Sequence, residues 1–161
     1  MDLSRPPRSV AVKVLQVLAM MLAALAIVGA GTLRSAADAR AARDAGSVFG
    51  VSPGYTAQVA AACADAGLPL LPGVATASEL MTALDADFAC FKFFPAQQAG
   101  GTALLKALGG PFPDALFCPT GGITVDTAPG FLALPNVACV GGSWLAPAAA
   151  LHSGDWAAIT A

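Results

Sequence analysis

The 161-residue sequence is poor in charged and metal-binding side chains. Only 11% of its residues are charged, and it contains one histidine, one glutamate and no Cys-x-x-Cys pair. A disordered chain combines low hydrophobicity with high charge, so an apolar content of 57% excludes disorder. The scarcity of ligating side chains and the lack of metal-ligand spacing argue against a metal-dependent mechanism. A net charge of −2 argues against nucleic-acid binding, which needs a basic surface to neutralise phosphates.

The four cysteines are Cys63, Cys90, Cys118 and Cys139, and the last three lie inside apolar runs. Cysteine outside disulfides is among the most buried residue types, and disulfides are rare in the cytosol. We therefore expect buried, reduced thiols in the core of a cytosolic protein.

Residues 1–28 allow two interpretations. Three basic residues precede a nearly unbroken apolar stretch at 14–28, an order typical of a signal peptide. This stretch is shorter than the roughly 20 residues that a helix needs to span a bilayer. Alternatively, residues 9–22 form an amphipathic or buried helix that leads into a buried strand at 25–29.

From residue 25 onward, short apolar runs alternate with helix-compatible segments. The runs lie roughly 20–25 residues apart, a spacing typical of consecutive βα units on a parallel sheet. Thr76 and Glu79 have the spacing of a capping box, which indicates a helix start. The pattern predicts strands at 25–29, 47–51, 69–73, 88–94, 115–118 and 137–140, with helices at 35–45, 56–66, 76–86, 101–108 and 125–132. A doubly wound sheet and a (β/α)8 barrel both begin in this way.

Lys92 is the strongest candidate for a reactive residue. It lies within an aromatic and apolar run, and the strand period of two places it on one face with Cys90 and Phe94. Burial lowers the pKa of a lysine and leaves part of it as the neutral amine near pH 7. A Schiff-base nucleophile requires this neutral amine. The alternative is a lysine on an edge strand whose ammonium group reaches water.

Two glycine clusters follow the last two predicted strands. Residues 119–122 read Pro-Thr-Gly-Gly, and residues 141–143 read Gly-Gly-Ser. Glycine lets backbone N–H groups approach an anion, and the serine hydroxyl adds a donor. Because α/β folds place their active sites at the carboxyl ends of the strands, these clusters are candidates for a phosphate site.

Three longer segments carry a family resemblance. They read Phe-Lys-Phe-Phe-Pro-Ala at 91–96, Phe-Cys-Pro-Thr-Gly-Gly-Ile at 117–123 and Gly-Gly-Ser-Trp-Leu at 141–145. Shorter segments at 27–32, 51–54, 71–73 and 78–81 agree with them in order. Together they resemble the bacterial KDPG/KHG aldolase family, over roughly residues 25–160.

The resemblance implies a class I aldolase on a (β/α)8 TIM barrel, usually a homotrimer of cytoplasmic carbohydrate metabolism. Such lyases cleave 2-dehydro-3-deoxy-6-phosphogluconate (KDPG) into pyruvate and glyceraldehyde 3-phosphate, a step of the Entner–Doudoroff pathway. Many also cleave 4-hydroxy-2-oxoglutarate (KHG) into pyruvate and glyoxylate. The implied partner is a phosphorylated 2-keto acid. No metal, cofactor, nucleic acid or membrane partner is implied.

Matched by motif, the resemblance makes Lys92 the Schiff-base lysine. Its amine attacks the C2 ketone, and the protonated imine accepts the electrons of the C3–C4 bond. The implied substrate-binding residues are Thr32, Pro53, Thr120 and Arg5, and the implied phosphate-binding residues are Gly121, Gly122 and Ser143. Residues 27–32 match an internal barrel strand of the family, which argues against signal cleavage at that point.

The sequence departs from the family at its N-terminus. A complete barrel takes at least about 200 residues, and about six βα units are recognisable here. We expect the first two strands and the family's general-base glutamate to be missing, through truncation or a wrong gene start. The expected organisation is an atypical apolar helical segment at 1–24 followed by a partial aldolase barrel at 25–161.

Three alternatives to a fully active KDPG aldolase follow from the sequence. The first is a catalytically impaired fragment or a binding-only paralogue, which holds the phosphorylated acid without turnover. The second is the sister specificity for the galactonate epimer, although the loop residues favour the gluconate type. The third is an exported or membrane-anchored protein that uses residues 1–28.

Overall fold

The computed structural model describes residues 29–155 and residue 157 of the chain. Within this part, short strands alternate with helices. The strands are β1 (Gly29–Ala30), β2 (Phe49–Val51), β3 (Leu70–Leu71), β4 (Gly73–Val74), β5 (Cys90–Phe93) and β6 (Leu116–Pro119). The helices are α1 (Ala36–Asp44), α2 (Ala57–Asp65), α3 (Ala77–Asp85), α4 (Gly101–Leu108), α5 (Ala128–Leu132) and α6 (Ala148–Ser153).

The strands form two three-stranded sheets, ordered β1-β2-β3 and β4-β5-β6. Every strand pairing within them is parallel. The predicted α/β class with a parallel sheet is therefore confirmed. The calls on residues 1–24 and on Arg5, and most of the predicted strand at 25–29, lie outside the described residues.

The predicted strand at 69–73 is divided between the two sheets. β3 pairs with β2, whereas β4 pairs with β5. Pro72 lies between them and accepts a hydrogen bond from the Lys92 backbone N–H at 2.9 Å. Proline has no amide hydrogen to donate in return, so the ladder is interrupted at this residue.

The predicted strand at 137–140 is wrong as a regular strand. Only isolated bridges form there, between Phe117 and Val137 and between Thr120 and Gly141. Pro119 lacks the N–H that would continue the ladder from β6. One extra residue separates the bridges on the 137–141 side, as in a β-bulge.

Side chains fix the starts of the first three helices. Ser35, Thr56 and Thr76 are the N-caps, and each side-chain oxygen accepts from a backbone N–H one turn into its helix. The capping box predicted at Thr76 and Glu79 is confirmed. Helix α5 begins three residues later than predicted.

The delayed start of α5 follows from a turn before it. Thr124 and Thr127 hydrogen-bond each other, with the Thr124 N–H donating to Thr127 Oγ1 at 2.9 Å. These threonines hold residues 124–127 outside the helix, and Pro129 occupies the first helical turn.

The two faces of β5 have different environments. Phe91 and Phe93 are fully buried in the main core, and both rings lie against Phe117 of β6. Cys90 and Lys92 point to the opposite face, where they are half-buried. The aromatic face packs against the helices, which leaves the lysine face available for chemistry.

The expectation of buried thiols holds fully for Cys63 alone. Cys63 lies on α2 in the smaller core cluster, whereas the other three cysteines are half-buried. Cys118 and Cys139 lie on the lysine side of the sheet instead of in the helix-facing core. Among the described residues, no helix is both long enough and apolar enough to cross a membrane.

Candidate active site

Lys92 lies on the central strand of its sheet. It pairs with Gly73 of β4 on one side and with Cys118 of β6 on the other. The edge-strand alternative for this lysine is therefore wrong. Its Nζ atom lies 4.5 Å from the centroid of the Phe94 ring, which offers the ammonium form a cation–π contact.

The electrostatic surroundings of Lys92 favour the neutral amine. Burial lowers the pKa of Lys92, and the neighbouring Cys118 thiolate partly opposes this shift. Desolvation acts against the charged form of any amine. Lys92 is thus half-buried and more easily deprotonated than an exposed lysine, as a Schiff-base nucleophile requires.

Cys118 and Cys139 form a hydrogen-bonded thiol pair beside the lysine. The hydrogen bond from Cys139 lowers the pKa of Cys118 to about 7, against the effect of burial, and Thr120 and Lys92 also lower it. The same hydrogen bond and burial raise the pKa of Cys139. Cys118 is therefore the member of the pair that loses its proton more readily, and Cys139 is the member that keeps it.

The loops after β5 and β6 are tied together beyond Lys92. The Ala96 N–H donates to the Thr120 carbonyl at 2.9 Å, and the Gln97 N–H donates to the Gly121 carbonyl at 3.1 Å. A Cβ added at Gly121 would lie 3.2 Å from the Phe94 ring. The first glycine cluster therefore stands against the aromatic ring that contacts the lysine.

Backbone conformation explains both glycines of this cluster. Gly121 has φ 102° and Gly122 has φ 73°, backbone values that residues with a side chain rarely adopt. Thr120 precedes them, bridges to Gly141 and donates its hydroxyl to the Cys118 carbonyl at 3.4 Å. The Thr120–Gly141 bridge brings the two predicted glycine clusters side by side.

The loop after β2 contacts Gly73 of β4, the strand that pairs with β5 and Lys92. A Cβ at Gly73 would overlap the Pro53 carbonyl group, so glycine is needed for this close approach. Because Gly73 pairs with Lys92, only the β4 strand separates the half-buried Pro53 from the strand of Lys92. Beside it, the Ser52 hydroxyl is buried and has no hydrogen-bond partner.

Two predicted site residues are less closely connected. Thr32 follows β1, in the other sheet, and is exposed with φ 64°. Ser143 begins a 3₁₀ turn at Ser143–Leu145 and is also exposed. The structure thus connects Lys92 with Thr120 through Cys118 and with the first glycine cluster through Phe94. No described contact of Lys92 reaches Thr32 or Ser143.

Glu79, the single glutamate of the sequence, caps the start of helix α3. Glu79 Oε2 accepts from the backbone N–H groups of Ala75 at 2.7 Å and of Thr76 at 3.0 Å. The titratable side chain that acts on Lys92 in the described structure is the Cys118 thiol instead of a carboxylate. In residues 29–155, no three His, Cys, Asp or Glu side chains are grouped to hold a metal ion.

The family model described as KDPG and KHG aldolase matches residues 7–161. The chain belongs to this family. It is 49% identical over 135 residues to the 2-dehydro-3-deoxy-phosphogluconate aldolase of Pseudoalteromonas atlantica, covering 84% of this chain and 63% of that protein. It is 47% identical to the KHG/KDPG aldolase of Escherichia coli, again covering 84% of this chain and 63% of the relative. The chain thus spans about three fifths of the length of the curated relatives it matches.

Solved structures of KDPG aldolases resemble this chain closely. The aldolase of Legionella pneumophila, with pyruvate captured at low pH as a covalent carbinolamine, has a TM-score of 0.80 and 41% identity, covering 98% of this chain and 75% of that one. The aldolase of Zymomonas mobilis with 3-phosphoglycerate has a TM-score of 0.73 and 47% identity, covering 76% of this chain and 59% of that one.

For this KDPG and KHG aldolase family member, reasoning from the sequence alone missed two features of the site. One is Cys118 as the neighbour of Lys92, and the other is Gly73 as the contact of Pro53. A cross-strand neighbour depends on register, which one strand's sequence does not specify. The available signal was that Lys92 and Cys118 each lie immediately before a cluster that ends a strand, Phe-Phe-Pro-Ala at 93–96 and Pro-Thr-Gly-Gly at 119–122.

Proposed function

We propose that this chain is a class I aldolase that cleaves KDPG into pyruvate and glyceraldehyde 3-phosphate, and that it also accepts KHG. The observation that carries the proposal is Lys92, half-buried on a central strand with a lowered pKa. It lies beside a glycine loop suited to an anion. Family membership supports the same chemistry.

The proposed reaction begins with the neutral Lys92 amine. Its nitrogen attacks the C2 ketone, and loss of water leaves a protonated imine. The C3–C4 bond then breaks, and its electron pair enters the imine as the C4 hydroxyl loses its proton. The aldehyde leaves, the enamine is protonated at C3, and water releases pyruvate and regenerates the amine.

We assign the substrate-binding roles to residues in the loops that follow the strands. Thr120 contacts the substrate, while the N–H groups of Gly121 and Gly122 and the Ser143 hydroxyl receive the phosphate. Thr32 and Pro53 line the pyruvate end. Arg5 is proposed as a further substrate contact outside the described residues. The Thr120–Gly141 bridge supports the shared phosphate site because it joins the loops that carry these groups.

The finer architecture belongs to the same proposal. We propose a (β/α)8 TIM-barrel type of fold, a homotrimeric assembly and a cytoplasmic location. The alternation of parallel strands and helices supports the barrel. A phosphorylated 2-keto acid is the proposed small-molecule partner.

A turnover assay tests this function. Pyruvate release from KDPG and from KHG is measured for the wild type, Lys92→Ala and Lys106→Ala. Lys106 is an exposed lysine on α4 and is the matched control. We expect the Lys92→Ala variant to lose activity to background and the Lys106→Ala variant to retain it. Equal turnover in all three proteins would overturn the proposal, and binding of KDPG without turnover would favour the binding-only alternative.

A further inference from the structure

Two thiols on the lysine side of the sheet are held next to each other. The Ala138 N–H donates to the Phe117 carbonyl at 3.0 Å, and the Gly141 N–H donates to the Pro119 carbonyl at 2.9 Å. The segment that carries Cys139 therefore runs beside β6 at hydrogen-bonding separation. The bridges Phe117–Val137 and Thr120–Gly141 enclose both cysteines, so Cys139 lies opposite the stretch of β6 that carries Cys118.

The side chains of the pair are also in contact. Cys139 and Cys118 share a hydrogen bond between their thiols, and neither is in a disulfide in this structure. Both are half-buried, so a small reagent has access to the pair while bulk solvent is partly excluded.

The charged and titratable groups around the pair favour reaction at Cys118. Lys92 faces it from β5, and Thr120, which follows β6, also lowers its pKa. Cys90, also on β5, acts on Cys139 instead. A thiolate beside a lysine is a better nucleophile toward peroxides than a protonated thiol. The asymmetry makes Cys118 the attacking sulfur and Cys139 the resolving one.

We propose that Cys118 and Cys139 are an oxidation site that converts reversibly to a disulfide in the presence of a peroxide. The Cys118 thiolate attacks one peroxide oxygen, the O–O bond breaks, and hydroxide leaves, which gives a sulfenic acid. The Cys139 thiol then attacks the sulfenic sulfur, forms the S–S bond and releases water. Two electrons pass from the two sulfurs to the peroxide.

Oxidation changes the surroundings of Lys92. A disulfide has no proton to lose, so Lys92 loses the neighbouring thiolate that raises its pKa. The amine of the oxidised protein is therefore neutral at lower pH than that of the reduced protein. The change in the pKa of Lys92 stands on its own, whereas its effect on catalysis rests on the proposed function.

The test is peptide mapping of the folded chain after exposure to hydrogen peroxide, without reductant. We expect a linked peptide pair containing Cys118 and Cys139, a mass loss of two hydrogens, and full reversal by dithiothreitol. In Cys139→Ser, Cys118 stops as the sulfenic acid, which dimedone labels. Cys63→Ser is the control, because Cys63 lies in the other core cluster and its loss leaves the link intact.

Two results would overturn the inference. One is a link that joins Cys90 to either member in place of the predicted pair. The other is a folded wild-type chain whose Cys118 stays reduced at peroxide concentrations that oxidise free cysteine. The wild-type measurement needs no variant to fold, and thiol mapping does not depend on pyruvate binding. A failure of Cys118 and Cys139 to form the disulfide is therefore distinguishable from a failure of the proposed aldolase activity.

Discussion

Lys92 and Cys118 are register partners on the adjacent parallel strands β5 and β6. Their side chains therefore stand on one face of the sheet, and each changes the protonation of the other. The thiolate raises the pKa of Lys92 against the lowering by burial, and Lys92 lowers the pKa of Cys118. The protonation state of the candidate nucleophile is consequently a property of the pair.

The first prediction concerns the pH at which Lys92 becomes reactive. In the wild type, acylation of Lys92 by acetic anhydride should rise with pH around a midpoint below the ordinary lysine value of about 10.4, because burial lowers its pKa. Cys118→Ser removes the thiolate that stabilises the ammonium form. The midpoint should therefore move to still lower pH, as measured by quantitative peptide mapping.

Cys63→Ser is the control for this titration, and its midpoint should equal that of the wild type because Cys63 lies in the other core cluster. A shift to higher pH in Cys118→Ser would show that the thiolate does not stabilise the lysine ammonium. An unchanged midpoint would show that the two groups are not coupled.

The second prediction concerns Gly121. A side chain there meets an unfavourable φ of 102° and the Phe94 ring, so Gly121→Ala should distort the loop after β6. A non-glycine residue in such a region costs on the order of 1–3 kcal/mol. If this loop receives the phosphate, KM for KDPG should rise several-fold. Gly130→Ala is the control, since Gly130 has open space around it and no positive φ. An unchanged KM would remove the loop from the binding site.

The third prediction concerns the contact of Gly73 with Pro53. Gly73→Ala places a methyl group against the Pro53 carbonyl, and overpacking of this kind costs typically 1–3 kcal/mol. Urea unfolding should show a lower free energy of unfolding. Gly54→Ala is the matched control because nothing lies within 4 Å of a Cβ at that position. Equal free energies of unfolding for the two variants would mean that Gly73 and the Pro53 carbonyl are not in close contact in solution.

The fourth prediction concerns the capping box of α3. The Thr76 side chain accepts from the Glu79 N–H at 3.3 Å, so Thr76→Ala leaves this donor without its partner. Loss of an N-cap side chain costs about 0.5–2 kcal/mol, which urea unfolding can resolve. Thr82→Ala, on the exposed side of the same helix, should change stability less. If Thr82→Ala were the more damaging change, the cap would not be the stabilising element.

Much of the fold could be predicted from local sequence signals. The alternation of apolar runs with helix-compatible segments predicted the helices, and the capping box at Thr76 and Glu79 predicted one helix start, which the structure confirms. The two errors in the predicted strands arose where proline removed a backbone donor. Pro72 divides one predicted strand between two sheets, and Pro119 prevents a regular strand at 137–140.

The candidate site was only partly predictable. The aromatic surroundings of Lys92 indicated a buried amine, which its half-buried position supports. Its partner Cys118 could not be predicted, because register between two strands depends on how their core faces pack, here Phe91 and Phe93 against Phe117. The approach of Pro53 to Gly73 is a tertiary contact for which the sequence carries no local signal.

The most direct test of the central claim is borohydride trapping of pyruvate on the protein, read by intact mass and peptide mapping. We predict a single reduced adduct on Lys92, formed in the wild type and in Lys106→Ala and absent in Lys92→Ala. An adduct on another residue, or a folded wild-type chain that traps no pyruvate, would contradict the assignment of Lys92 as the Schiff-base nucleophile.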